Sequence, residues 1–87
     1  MIIRSTSNFE KKVRKLKTKD ESLKKRIDSK LKVLLQNPKH PSLRIHKLVS
    51  IRHEAWSISV NMQLRILFVY RDYGVLLIDI SGHDEVY

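Results

Sequence analysis

The chain contains no cysteine. Disulfides and thiolate metal sites are therefore excluded, and a reducing compartment is the natural setting. Only two glycines occur, Gly74 and Gly82. Loops that cradle phosphate through G-x-x-x-x-G-K or G-x-G-x-x-G need more, and neither pattern is present. A G-x-S-x-G nucleophile elbow is absent as well. Two prolines and no low-complexity stretch leave little room for a linker. No run approaches the roughly 18 apolar residues of a membrane-spanning helix. Met1-Ile2-Ile3-Arg4 lacks the apolar core of a signal peptide. The expectation is a single domain over residues 1–87, cytoplasmic, with no membrane contact and a small core.

Negative charge is scarce and unevenly placed. Residues 1–47 carry 15 Lys/Arg against 4 Asp/Glu, whereas residues 48–87 carry 3 against 5. A first half this basic fits a polyanion: nucleic acid, an acidic protein or anionic lipid. A merely solvated basic helix surface is the plain alternative.

Periodicity gives the elements. Met1 to Arg4 reads as a brief strand. Ser7-Asn8-Phe9-Glu10 predicts a capping box with Ser7 as N-cap and Glu10 reaching back. Phe9, Val13 and Leu16 then mark one helix face. Asp20 can cap a second helix, whose stripe is Leu23, Ile27, Leu31, Leu34 and Leu35. Asn37-Pro38 stops it, because the residue before proline avoids the helical region. His40 to Arg52 reads as polar and irregular. Trp56, Ile58 and Val60 alternate with Ser57, Ser59 and Asn61, the pattern of a strand covered on one face. Asn61-Met62-Gln63 reads as a turn. Leu64 to Arg71 is apolar on both faces, as a central strand is. Asp72-Tyr73-Gly74 is a tight connection to a last strand, Val75 to Ile80. The expected class is α+β, ordered β-α-α-β-β-β, with an antiparallel sheet packed against an N-terminal helical hairpin.

The four histidines, His40, His46, His53 and His83, have no metal-ligand spacing. No metal and no cofactor are expected. What remains is imidazole and guanidinium chemistry. RNA breaks when its 2′-hydroxyl attacks the adjacent phosphorus. A protein must then remove that proton, protonate the leaving 5′ oxygen and stabilise the charge on the phosphorane. Histidines or a tyrosine can move the protons, and an arginine fork suits the phosphate oxygens.

Arg65 stands inside the apolar run Leu64-Arg65-Ile66-Leu67-Phe68-Val69-Tyr70. A buried cation needs a use, so Arg65 is a candidate phosphate clamp; a structural pair with Asp79 or Glu54 is the alternative. His83 is a candidate general acid or base, or simply a loop residue. Tyr87 is a candidate to stack on a base or orient the 2′-hydroxyl, or a terminal hydrophobic anchor. His46, beside Lys47, is a candidate for proton transfer or phosphate binding, or a solvated loop residue. Arg52 and His53 could edge an RNA groove, or equally be surface residues. Trp56 reads as core. Asp84 and Glu85 repel phosphate but could orient His83.

Taken together, Asn37-Pro38, His46-Lys47-Leu48, Trp56-Ser57-Ile58-Ser59-Val60, Leu64 to Tyr70 and Gly82-His83-Asp84-Glu85-Val86-Tyr87 resemble the RelE/ParE superfamily of bacterial toxins. The resemblance spans essentially the whole chain and is greatest to the YafQ/RelE-type messenger-RNA interferases. It implies the β-α-α-β-β-β fold and the toxin of a type II toxin–antitoxin pair. It also implies metal-independent cleavage of messenger RNA, often on the ribosome, and neutralisation by a cognate antitoxin. The residues it assigns to catalysis are His46, Arg65, His83 and Tyr87. Lys47, Arg52 and His53, read from the chain itself, are the candidate RNA contacts. Two departures stand out. Ser57 and Ser59 replace basic strand residues found in some members, and Asp79 occupies the place of another family arginine. The ParE branch shares the fold but poisons DNA gyrase, which is the alternative function.

Overall fold

A computed structural model describes residues 1–48 and 54–82 of the chain. Its elements are β1 (Ile2–Ser5), α1 (Ser7–Lys19), α2 (Glu21–Gln36), a single 3-10 turn (Pro41–Leu43), β2 (His46–Leu48), β3 (Ala55–Ser59), β4 (Leu64–Arg71) and β5 (Gly74–Gly82). The five strands form one sheet in the order β1-β5-β4-β3-β2. The class is α+β, as expected, but the sheet is mixed and larger than the sequence suggested. β1 runs parallel to β5, and all the other pairs are antiparallel. β2 occupies part of the segment that reads as irregular, and its three residues are too few to show a period.

Thr6 decides where β1 ends and α1 begins. Its N–H donates to the Leu77 carbonyl at 3.0 Å, continuing the ladder between β1 and β5. Its backbone stays extended, and its Oγ1 accepts from the Phe9 N–H at 3.2 Å. The cap is therefore Thr6 and not Ser7. The sheet holds Thr6 in the non-helical conformation that a cap requires, and Ser7 is drawn into the first turn. Glu10 does not close a capping box; its carboxylate accepts from the Ser5 hydroxyl instead. Asp20 serves both helices. Its N–H donates to Leu16 O at the end of α1, and its Oδ1 accepts from the Leu23 N–H at the start of α2. α2 stops at Asn37, before Pro38, as expected.

The helices bury Phe9, Val13, Leu23, Ile27 and Leu34 against Ile58, Ile66, Phe68, Val75, Leu77 and Ile80 of the sheet. Alternation along β4 places Ile66 and Phe68 on that face, and Arg65 on the other. β4 is the middle strand, in keeping with its two-sided apolar pattern. Between β4 and β5 the register slips: Leu67 faces Asp79, but Phe68 faces Leu77. Ile78 is the extra residue of this bulge, and its carbonyl accepts from Asn8 Nδ2 at 3.0 Å.

Gly74 turns the chain from β4 into β5 at φ +144°, a backbone conformation that side chains disfavour. A Cβ there would also collide with the backbone of Ile2, its parallel partner. Gly74→Ala is thus expected to destabilise the fold by about 1–3 kcal/mol from the backbone strain alone. Detachment of β1 would add to that. Urea unfolding of the two proteins measures it, and an unchanged midpoint would show that this close approach is not needed.

Candidate functional site

Arg65 reaches across the sheet instead of out of it. The residue is only 7% exposed. Its Nε donates to Ser57 Oγ at 2.8 Å, and its Nη2 donates to the Arg44 carbonyl at 2.6 Å. The side chain thereby runs from β4 over β3 toward the segment leading into β2. Sequence reasoning placed Ser57 on a solvated face, yet Ser57 is fully buried. A strand residue with a hydroxyl reads as outward from alternation alone. Its cover is the arginine from the neighbouring strand, a non-local feature. Asp79 and Glu54, the carboxylates offered as partners for Arg65, are engaged by lysines: Lys12–Asp79 at 2.8 Å and Lys47–Glu54 at 3.7 Å.

His46 lies directly opposite Ser57 on β2, so it shares the face of Arg65. It is exposed. The structure thus brings an exposed imidazole and an anchored guanidinium onto one side of the sheet, with Ser57 between them. Lys47 alternates to the other side. It lies opposite Trp56, with its ammonium 5.8 Å from the indole centroid. Trp56 is half-buried and packs against the core, and its ring meets Tyr70 edge-on with centroids 5.5 Å apart. Arg52, His53, His83 and Tyr87, and with them Asp84 and Glu85, lie outside the described residues. His83 follows Ser81, the cross-strand partner of Arg65, by two positions in sequence.

Two residues that the sequence did not mark as part of the site belong to this arrangement. Ser57 fixes the arginine, and Arg44 supplies the carbonyl that holds its far end. Arg44 has φ +46°, the one positive φ at a non-glycine among the described residues. Nothing in its sequence context marks it. Among the described residues no three side chains gather as metal ligands, and no helix is long and apolar enough to cross a membrane.

The arrangement can hold and neutralise an anion. Two nitrogens of the Arg65 fork are already satisfied inside the protein, so the group loses little freedom when it meets a phosphate oxygen. An exposed histidine on the same face can move protons.

The architecture is shared with solved toxins. The YoeB/ParE toxin from Agrobacterium tumefaciens superposes with a TM-score of 0.78 at 14% identity, over 95% of this chain and 99% of that one. YafQ from Escherichia coli gives 0.78 at 17% identity, over 99% and 97%. This chain has the fold of the YoeB/ParE and YafQ structures. YoeB in its complex with YefM from Staphylococcus aureus gives 0.76 at 17% identity, over 95% and 97%. No family model and no curated protein matches the sequence.

Proposed function

We propose that this chain is a single-domain RelE/ParE-superfamily toxin of a type II toxin–antitoxin pair, and that it cleaves messenger RNA, with ribosome-bound message as its substrate. The observation that carries the reading is Arg65: a nearly buried guanidinium, tied at Nε and Nη2, on the sheet face that also presents His46. In this reading one histidine of the pair His46 and His83 takes the 2′-hydroxyl proton. The 2′ oxygen then bonds to phosphorus, and the bond to the 5′ oxygen breaks. The other histidine protonates that leaving oxygen. The products are a 2′,3′-cyclic phosphate and a free 5′-hydroxyl. Arg65 stabilises the charge that develops on the phosphorane, and Tyr87 orients the nucleophile or stacks on a base. Arg52 and His53 contact the strand, and Lys47, on the other face of the edge strand β2, meets it where it passes that edge.

The proposed protein partner is a cognate antitoxin. YoeB and YafQ have both been crystallised in complex with a second protein, YefM and DinJ respectively. A groove of about 430 Å³ between β1 and the helices is lined by the apolar Ile3, Phe9, Val13 and Leu31 and by the charged Arg4, Arg14, Lys17 and Glu10, with Lys17 already paired to Asp28. It suits an acidic amphipathic segment.

Messenger RNA incubated with the purified chain, with and without ribosomes, tests the reading. Cleavage with 2′,3′-cyclic ends is expected, and His46→Gln or His83→Ala should each lower it about 10²–10⁴-fold. Cleavage that is equal for both variants and the wild type would remove these residues from the mechanism. The gyrase reading shares the fold, and fold alone does not choose between them. Inhibition of DNA supercoiling by gyrase, without RNA cleavage, would favour it.

A further inference from the structure

Beside Arg65 lies a second basic feature that the mechanism above does not use. Arg26 and Lys30, one helical turn apart on α2, face a hollow of about 260 Å³. Ser42, Arg44, Ser59 and Asn61 also line it. Its lining holds three cations and no carboxylate. Lys30 Nζ donates to the Ser42 carbonyl at 2.8 Å, which fixes that ammonium at the rim. None of the three cations forms an ion pair with a described residue.

The hollow is coupled to Arg65 through backbone. Arg44 holds its left-handed conformation while Arg65 Nη2 binds its carbonyl. A non-glycine residue held at positive φ costs of order 1–3 kcal/mol, which the surroundings must sustain. Ser59 lines the hollow and is the cross-strand partner of Arg65. The anchored arginine and the basic hollow thus share two residues. Along α2, an adjoining hollow shares Arg26 and Lys30, adds Lys25, and reaches its first carboxylate at Glu21.

We propose that this hollow binds phosphates of the RNA strand next to the scissile linkage, with Arg26, Lys30 and Arg44 as the contacts and Arg65 positioning Arg44. The inference rests on the RNA-cleaving reading and extends it. The volume lies below the roughly 300–1,000 Å³ of pockets that enclose small molecules. An open basic hollow of that size fits a backbone group. A protein partner would want aromatic or aliphatic anchors in a desolvated pocket. The apolar groove beside β1 offers such a floor and this hollow does not.

The test uses the full-length chain and a short 2′-O-methyl RNA, which cannot supply the attacking hydroxyl. Arg26→Gln, Lys30→Gln and Arg44→Asn are combined; asparagine tolerates the left-handed backbone. Each lost phosphate contact on a single strand lowers the slope of log affinity against log salt by about 0.7, so the triple variant should lose about 2. On cleavable RNA the double variant Arg26→Gln/Lys30→Gln, which leaves the Arg44 anchor of Arg65 untouched, should raise KM with kcat nearly unchanged, the mark of binding shared by ground and transition states. Arg26→Gln alone, at an exposed position, should lose about 0.7 of slope even if the triple variant folds poorly.

An unchanged slope and KM, with cleavage still dependent on Arg65, would overturn the hollow and leave the nuclease reading standing. Wild-type protein that neither binds nor cleaves RNA would overturn both. A triple variant that binds RNA normally but loses its antitoxin would assign the hollow to a protein and overturn the proposal.

Discussion

Arg65→Ala is expected to lower RNA cleavage about 10²–10³-fold, the usual cost of removing one preorganised donor from a developing oxyanion. The accompanying loss of stability should be much smaller in consequence. Ser57 Oγ and the Arg44 carbonyl lose their donors, at about 1–3 kcal/mol for a buried group left unsatisfied. Against a typical total of roughly 5–15 kcal/mol, the chain stays mostly folded. A loss of two orders of magnitude in rate is then chemistry and not unfolding. Arg65→Lys sharpens the point. Lysine keeps the charge but brings one nitrogen where the arginine uses two, so it cannot reach Ser57 and Arg44 in the same geometry. It should behave like the alanine variant in activity. Urea unfolding and single-turnover cleavage on the same preparations separate the two effects. Full activity in Arg65→Lys would mean that charge suffices and that the anchoring bonds have no catalytic consequence.

The same residue shows what could be read from sequence and what could not. A cation inside Leu64 to Tyr70 signals a buried group with a purpose, because burial without partners is prohibitive. The signal does not say which partners. Those came from Ser57, eight residues away on the next strand, and Arg44, 21 residues away before β2. Serine alternating with Trp56 and Ile58 carries the local signature of a solvated position, and only a neighbouring strand can reverse it. Arg44, Arg26 and Lys30 were hidden for the opposite reason. They lie in a segment so rich in lysine and arginine that no single cation stands out.

Element order was legible where the period is long. Thirteen residues of α1 and sixteen of α2 repeat their apolar positions several times. Three residues of β2 repeat nothing. The parallel pairing of β1 with β5 depends on two segments more than 70 positions apart, and no local pattern encodes it. At the start of α1 two hydroxyl residues, Thr6 and Ser7, can both cap, and serine is the better by chemistry alone. The sheet chose between them. Of the catalytic candidates, Arg65 and His46 are brought to one face; the part that rests on His83 and Tyr87 stands on the sequence alone.

Phe68→Ala is expected to be the most damaging single truncation in the sheet, costing about 3–5 kcal/mol. Phe68 is fully buried on the middle strand, at the point where the register with β5 slips. Its ring meets Tyr70 edge-on with centroids 5.3 Å apart, and its neighbours include Ile66 and Leu77 of the same core. The bulge at Ile78 fixes the strand spacing around the ring, so the site has little freedom to collapse and the cavity term should be nearly whole. A chain of 87 residues has a small reserve. Phe68→Leu, which keeps most of the volume, should lose appreciably less. The pair serves as a control for the site. Phe68→Ala should abolish cleavage together with the cooperative urea transition, whereas Arg65→Ala should lower cleavage about 10²–10³-fold and keep that transition. If Phe68→Ala unfolds at the wild-type urea concentration, the core assigned to this face of the sheet is wrong, and with it the assignment of Arg65 to the opposite face.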